Sequence, residues 1–286
     1  MSDLTRIPEH VGVIGGGRMG AGIAHAFLMA GCRVTVIERE PIALQAARER
    51  IERLAARSIE LGAADVNLDE VTRRLQVVLD YNQLRDCRLT VEAVFEDFDV
   101  KLEALATAEA VVDERAVLAS NTSSLSLTDL AEHLKRPERF LGLRFFNPVS
   151  ASNLIEVVIA PKTDSELVEA APKWVEQLAK APVVVNDSPG FISSRLEVAI
   201  ALEAIRMVEE GVACAEHIDA AMELGCRHPL GPLKSTDIIG LDVRLGIAEY
   251  LSDQLGERFA PPRLLREMVE RGELGRKSGK GFYDWS

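Results

Sequence analysis

Val11-Gly12-Val13-Ile14-Gly15-Gly16-Gly17-Arg18-Met19-Gly20 is the stretch that decides the fold of this chain. Its first four residues form a short apolar run of strand type, and the glycines that follow fit the pattern Gly-x-Gly-x-x-Gly. The pattern alone is weak, because glycines also mark ordinary turns. Its setting makes it strong. It follows a strand, opens a helix through Ile23, Phe27 and Leu28, and is followed by a second strand over 34–37 that ends at the acidic Glu38. Each glycine then has a distinct duty: Gly15 permits the tight turn, Gly17 lets the backbone approach a pyrophosphate, and Gly20 lets helix and strand pack closely. The helix start presents unsatisfied N–H groups and a positive dipole end to the phosphates. Glu38 is placed to accept hydrogen bonds from the adenosine ribose, and its charge repels a 2′-phosphate, so NAD is favoured over NADP. Arg39 as a 2′-phosphate ligand is the minority reading. The candidate cofactor residues here are Gly15, Gly17, Arg18, Met19, Gly20 and Glu38.

Outward from this loop, apolar runs alternate with helical patterns. A charged helix is expected over 42–61, with later strands at 76–79, 89–94, 116–120, 140–145, 154–159 and 183–185. Such alternation predicts an α/β fold of Rossmann type, a doubly wound and mostly parallel sheet with right-handed crossovers. The texture changes at Asp187-Ser188-Pro189-Gly190. Beyond it the pattern is helical, with helices expected over 195–210 (stopped by Gly211), 215–224, 235–255 and 262–271. The sequence therefore predicts an NAD-binding domain over 1–187 and a helical substrate and dimerisation domain over 188–286.

Length, charge and cysteine usage exclude several alternatives. The chain has 286 residues and a net charge of −12, which argues against a nucleic-acid binder because phosphate recognition needs a basic face. One helix carries Arg48, Arg50, Arg53 and Arg57, but Glu49 and Glu52 are interleaved, so it reads as a solvated face with i,i+4 pairs. Cys32, Cys87, Cys214 and Cys226 lie far apart and read as reduced, mostly buried thiols. No His/Asp/Glu cluster has metal-ligand spacing, and no Gly-x-Ser-x-Gly elbow is present. The first ten residues lack an apolar signal core and no apolar run is long enough for a bilayer, so a cytoplasmic protein with no membrane partner is expected.

Further motifs follow in order: Val91-Glu92-Ala93-Val94-Phe95-Glu96-Asp97 with Val100-Lys101, Ala119-Ser120-Asn121-Thr122-Ser123-Ser124-Leu125, and Gly142-Leu143-Arg144-Phe145-Phe146-Asn147-Pro148 with Asn153-Leu154-Ile155-Glu156-Val157-Val158. Asp187-Ser188-Pro189-Gly190-Phe191, His228-Pro229-Leu230-Gly231-Pro232 and the segment Leu274-Gly275-Arg276-Lys277-Ser278-Gly279-Lys280-Gly281-Phe282-Tyr283 complete the series. Together they cover nearly the whole chain, which resembles the short-chain 3-hydroxyacyl-CoA dehydrogenases, including the 3-hydroxybutyryl-CoA type. The resemblance implies an NAD-dependent oxidoreductase acting at C3 of a 3-hydroxyacyl thioester, and a homodimer paired through the helical domain. It also implies that Glu96, Lys101, Ser123, Asn147 and Lys277 line the cofactor site, with Ser123 bonding the substrate's 3-oxygen. Ser123 could instead cap the helix after its strand, and the two lysines could be surface charges.

In that family a histidine precedes Phe-Phe-Asn-Pro and a glutamate orients it, the imidazole acting as the base. Here the glutamate position is Glu156 and the histidine position is Arg144, which stays charged and cannot accept a proton. Ser194 stands where the family places an asparagine beside the substrate oxygen. The catalytic candidates are thus Ser123, Arg144, Glu156 and Ser194. Three readings of Arg144 are open. It can serve as an electrophile in a working enzyme whose proton moves through water, Ser123 or Glu156. It can clamp a variant substrate, such as a hydroxyacyl carrier-protein thioester or a carboxylate-bearing hydroxy acid. It can also mark a catalytically impaired NAD-binding homologue. Of the histidines, only His228 lies on a turn near the family's cleft. The family's serine and lysine contacts to CoA fall on Leu54 and Leu61, with Arg53 or Arg57 as conceivable replacements.

Overall fold

The computed structural model describes residues 4–62 and 66–286 and divides the chain into two compact units, one ending at Ser188 and one starting at Pro189. In the first unit the order is β1 (His10–Ile14), α1 (Arg18–Met29), β2 (Arg33–Ile37), α2 (Pro41–Glu60), α3 (Leu68–Arg74), β3 (Leu75–Val78), β4 (Leu89–Glu92), α4 (Phe98–Val111), β5 (Val117–Ser120), α5 (Leu127–Glu132), β6 (Phe140–Phe145), β7 (Leu154–Ile159), α6 (Ser165–Gln177) and β8 (Ala181–Asn186). The eight strands form one sheet in the order β3-β2-β1-β4-β5-β6-β7-β8. Every pairing is parallel except β6 with β7, which is antiparallel. The physical reason is length. Only residues 146–153 join β6 to β7, too few for a parallel crossover, which needs about a dozen or more.

Strands β1, β2, β4 and β5 are buried nearly throughout, so they read as continuous Val/Ile/Leu runs. Val11, Val13, Phe27, Val34, Val36, Leu89 and Val91 share the main core with Leu141, Val157 and Trp174. Strand order reverses at β1, between β2 and β4, and this opens a crevice beyond their carboxyl ends.

Helix α2 bears out the solvated-face reading, with ion pairs Arg48–Glu52, Arg53–Glu49 and Arg57–Glu60 on its exposed side. Arg50 is the exception: it donates to the Gly16 carbonyl at 2.6 Å. Cys32 and Cys87 are buried, whereas Cys214 and Cys226 are exposed, so half of the expected thiol burial is absent.

The second unit is helical: α7 (Ser193–Glu209), α8 (Ala215–Ala220), α9 (Pro232–Ile239), α10 (Leu241–Leu255) and α11 (Arg263–Glu270). The helix expected over 235–255 is two helices. Gly240 takes φ +110°, a conformation L-residues rarely adopt, and breaks an apolar pattern that otherwise runs straight through it. The helix expected over 215–224 ends at Ala220 and continues as a single π turn over Ala221–Gly225. Buried Val198, Leu202, Ile205, Leu233, Leu241, Leu251 and Leu265 form this unit's core. The glycine-rich tail is pinned to α9 by Asp237, whose carboxylate accepts from the N–H groups of Phe282 and Tyr283 and from Trp285 Nε1, at 2.8–2.9 Å. A Cβ at Gly281 would lie 2.2 Å from that carboxylate, so the motif's glycine serves packing.

Candidate active site

The glycine loop builds one wall of a cavity of about 870 Å³ in the first unit. Gly15 has φ +91° and donates to the Ile37 carbonyl at 2.8 Å, tying the start of the turn from β1 into α1 to the end of β2. A Cβ on Gly20 would sit 1.7 Å from the Gly15 oxygen, so only glycine lets α1 start this close to the loop. Gly17 differs: a Cβ there would meet nothing within 4 Å. Its lack of a side chain leaves open space on the cavity side, as a phosphate-sized ligand requires. It is also the N-cap of α1 without a side-chain cap, and no acidic residue occupies the first turn. The first N–H groups of the helix therefore keep their capacity for an anion. Glu38, at the end of β2, accepts from the Gly16 N–H at 2.7 Å and lines the same cavity with Arg18, Met19 and Arg39. These features fit a dinucleotide in chemistry and in space.

A charged cluster backs the next wall. β4 ends on Glu92, and α4, capped by Asp97 accepting from the Val100 N–H, carries Lys101 back over it. Lys101 Nζ lies 2.7 Å from Glu92 Oε1 and 3.2 Å from Glu96 Oε2. Lys101 and Glu92 are almost wholly buried, which rules out the surface-charge reading of this lysine. Glu92 Oε2 accepts from Ser120 Oγ at 2.6 Å and Oε1 from the Val94 N–H at 2.7 Å. Glu96 Oε1 in turn collects the loop after β5: Thr122 Oγ1 at 2.6 Å, the N–H groups of Ser123 and Ser124 at 2.7 and 2.9 Å, and the Ser124 and Ser123 hydroxyls at 3.0 and 3.1 Å. Burial pushes the Glu96 carboxyl up, but the Lys101 charge and these donors prevail and hold it below its ordinary value. Ser123 is not a helix cap, because Ser126 fills that place on α5 by accepting from the Asp129 N–H. Sequence reasoning did not single out Glu92. Its signal was an acid ending an otherwise apolar strand.

The third wall comes from β6 and the turn after it. In the antiparallel ladder Arg144 stands directly opposite Glu156. Arg144 NH1 donates to Glu156 Oε2 at 2.6 Å, with both side chains largely buried. The guanidinium also lies 4.4 Å from the centre of the Phe146 ring, a cation–π contact. Asn121 Oδ1 accepts from the Phe145 N–H at 2.8 Å, tying the strand end to the Ser123 loop. Asn147 precedes a cis peptide bond to Pro148. The cavity thus gathers Gly15, Gly17, Arg18, Met19, Glu38, Glu96, Lys101, Ser123, Arg144 and Asn147 from separate strand ends. Of the Arg144–Glu156 pair, only Arg144 lines it.

Two candidates lie in the second unit. Ser194 is in the first turn of α7. Lys277 is on the turn Arg276–Ser278, where Nζ bonds Asp242 Oδ2 at 2.6 Å. His228 is half-buried, its N–H donating to the Met222 carbonyl at 3.1 Å. No group of His, Cys, Asp or Glu among the described residues has metal-holding geometry, and no helix among them is long and apolar enough to cross a membrane.

Comparison with known proteins gives a consistent answer. The family model described as 3-hydroxyacyl-CoA dehydrogenase, NAD binding domain, matches residues 10–188, and that described as 3-hydroxyacyl-CoA dehydrogenase, C-terminal domain, matches residues 190–285. A 3-hydroxybutyryl-CoA dehydrogenase of Mycobacterium tuberculosis is 42% identical over all of both chains. A probable 3-hydroxybutyryl-CoA dehydrogenase of Deinococcus radiodurans is 40% identical over 96% of this chain and 99% of its own. The crystal structure of (S)-3-hydroxybutyryl-CoA dehydrogenase from Ralstonia eutropha superposes with a TM-score of 0.93 at 35% identity, covering 98% of this chain and 100% of that one.

Proposed function

Since the chain belongs to the 3-hydroxyacyl-CoA dehydrogenase family, we propose that it is an NAD-dependent oxidoreductase of 3-hydroxyacyl-CoA thioesters that works with Arg144 where the family's pattern has a histidine. The observation that carries this reading is the continuity of one cavity from the glycine loop to Ser123 and Arg144. NAD bound along that loop supplies the hydride acceptor, or its reduced form the donor. Gly17 and the start of α1 hold the pyrophosphate, Glu38 the adenosine ribose, and Glu96, Lys101 and Asn147 the opposite half.

Arg144 acts as an electrophile. Its guanidinium is fixed by Glu156 and Phe146, and it donates to the substrate oxygen as negative charge develops there. A preorganised charged donor of this kind typically contributes about 3–4 kcal/mol to an oxyanion-like state. Glu156 offsets the buried charge and sets the fork's orientation, while the Ser123 hydroxyl hydrogen-bonds the same oxygen. Ser194 and Lys277, on the helical unit, stand at the positions to which the family's pattern gives substrate and cofactor contacts. That unit pairs two copies: Ile192, just before α7, and Leu196 and Ile200 within it recur every four residues and are exposed, which suits a homodimer. The protein works in the cytoplasm. A second reading, a carboxylate-bearing hydroxy acid or a carrier-protein thioester as substrate, is favoured by the permanent cation in the cavity.

The test follows NADH absorbance with acetoacetyl-CoA for the wild type and for Arg144→His. Turnover by the wild type supports the main reading. Inactivity of wild type with activity of Arg144→His shows that the arginine switches off this reaction. Inactivity of both, with NADH still bound, moves the substrate to the second reading.

A further inference from the structure

The oxidation of a hydroxyl releases a proton as well as a hydride, and a guanidinium cannot take it. Among the described residues lining the cavity there is no histidine or cysteine. Glu156 does not line it, and its Oε2 is bonded to Arg144. Glu38 is bonded to the Gly16 N–H, and burial raises the Tyr81 hydroxyl above its ordinary range. Glu103 also lines the cavity, but it is exposed on α4, and the hydroxyl beside it, Thr107 Oγ1, donates to its backbone carbonyl and not to its carboxylate. This leaves Glu96 as the lining carboxylate that a substrate proton can reach through a hydroxyl. Ser123 is exposed on the cavity wall, and its Oγ lies 3.1 Å from Glu96 Oε1.

We propose that Ser123 and Glu96 form the proton relay of this enzyme, Ser123 passing the substrate's hydroxyl proton to the Glu96 carboxylate. The inference rests on the reading of a working 3-hydroxyacyl thioester dehydrogenase. In the oxidative direction the O–H bond of the substrate breaks and its proton bonds to Ser123 Oγ. The Ser123 proton bonds to Glu96 Oε1, C3 and its oxygen become a carbonyl, and the C3 hydride with its electron pair reduces NAD. Glu96 leaves the step as a neutral acid and returns its proton to water. Reduction of a 3-oxo thioester runs the same path backwards.

The surroundings suit this duty. Lys101 holds Glu96 Oε2 at 3.2 Å, so the carboxylate presents Oε1 to the loop. Of the five donors on Oε1, three are hydroxyls, from Thr122, Ser123 and Ser124. Hydroxyls can rotate away as the oxygen gains a proton, whereas backbone N–H groups cannot. Because Lys101 and the donors favour the charged form, the proton does not stay, and Glu96 is an acceptor again for the next turnover.

The experiment is a kinetic double-mutant cycle. Glu96→Gln and Ser123→Ala are each made in the wild type and in Arg144→His, where an imidazole offers another base. The kcat is measured at saturating NADH with acetoacetyl-CoA, and the NADH dissociation constant is followed separately by fluorescence. Losing a general acid–base group costs about 10²–10⁴-fold, and in this reductive assay Glu96 is the proton donor, so Glu96→Gln should lower kcat by about 10²-fold or more in the wild type and by a much smaller factor in Arg144→His. Ser123→Ala removes no charge and should show coupling of the same sign, which guards against misfolding of the glutamine variant. Equal losses in both backgrounds mean that Glu96 only supports the loop, and the relay is wrong. Wild-type inactivity beside an active Arg144→His also overturns it, while inactivity of both overturns the substrate reading instead. A crystal structure with an unreactive 3-hydroxyacyl thioester gives a readout free of turnover. Its hydroxyl should lie at hydrogen-bonding distance, about 2.5–3.0 Å, from Ser123 Oγ. A hydroxyl bonded elsewhere refutes the relay.

Discussion

Removing the carboxylate opposite Arg144 should be among the most destabilising single changes in the first unit. Glu156 is 1% exposed and Arg144 11%, with 2.6 Å between the bonded atoms. Two charges about 4 Å apart attract by about 4 kcal/mol at the effective dielectric of a protein, and burying each costs several kcal/mol. The pair as a whole therefore contributes little, but half a pair is costly. Glu156→Leu deprives a buried guanidinium of its counter-charge and should cost about 3–5 kcal/mol; Arg144→Met does the same to Glu156. The double variant Arg144→Met/Glu156→Leu should return to within about 1.5 kcal/mol of the wild type, as volume-matched apolar replacements do. The assay is urea unfolding in a Trp285→Phe background. That leaves Trp174, buried in α6, as the single tryptophan reporting on the first unit. With a urea m-value of about 2–3 kcal/mol/M, each single variant should lower the midpoint by about 1–2 M. Additive effects, or single losses below about 1 kcal/mol, would refute the reasoning that this pair is held together by mutual need.

Two glycines in the same loop should part company. Gly20→Ala drives a methyl to within 1.7 Å of the Gly15 oxygen and should destabilise the unit by several degrees in Tm, whereas Gly17→Ala enters open space and should leave Tm unchanged. Gly17→Ala should nevertheless weaken NADH binding at least about tenfold, the cost of roughly 1.4 kcal/mol of lost phosphate approach; unchanged affinity in a fluorescence titration would remove Gly17 from the cofactor site. His25 sets a second expectation. Desolvation, aided by the Lys180 charge, depresses its pKa from 6.5 to about 4, and its Nε2 lies 2.9 Å from Ser58 Oγ. The unfolded state binds this proton first, so stability falls as pH drops from about 6.5 towards 4, by at most about 3 kcal/mol in total. Gln at position 25 should flatten that part of the pH–stability curve measured by urea midpoints, and an unaltered slope would show that other groups cause it.

What the sequence made legible was whatever depends on local order. Gly15 and Gly20 announced through their spacing the tight turn and the close packing that the structure has, and Glu38 its place at the end of a strand. What it hid depends on which strands become neighbours. Glu92 and Lys101 are nine residues apart on a strand and a helix, and only the crossover lays one over the other. Glu96 and the Ser123 loop meet because β4 and β5 end side by side, Glu92 pairing with Ser120. Helix α9 was concealed for a different reason. Ile238, Ile239 and Leu241 keep the apolar pattern going, and only the backbone of Gly240, at φ +110°, interrupts it. The burial of Cys32 and Cys87 against the exposure of Cys214 and Cys226 likewise follows from the placement of whole elements.

The arginine is better understood from the ladder than from the motif. A one-residue slip of β7 would turn Glu156 to the other face of the sheet, so the carboxylate's position is fixed by the Arg144–Glu156 register itself. A buried carboxylate so placed demands a positive partner in the folded state. A histidine meets that demand only while it carries the substrate's proton; an arginine meets it at all times. The exchange thus keeps the electrostatic half of the position and gives up its acid–base half. Nothing else on β6 or β7 that reaches the cavity can recover that half, since Phe145, Phe146 and Asn147 do not titrate. If turnover is retained, the proton must move on another wall of the same cavity. There the hydroxyl of Ser123 already rests on a carboxylate that Lys101 keeps charged.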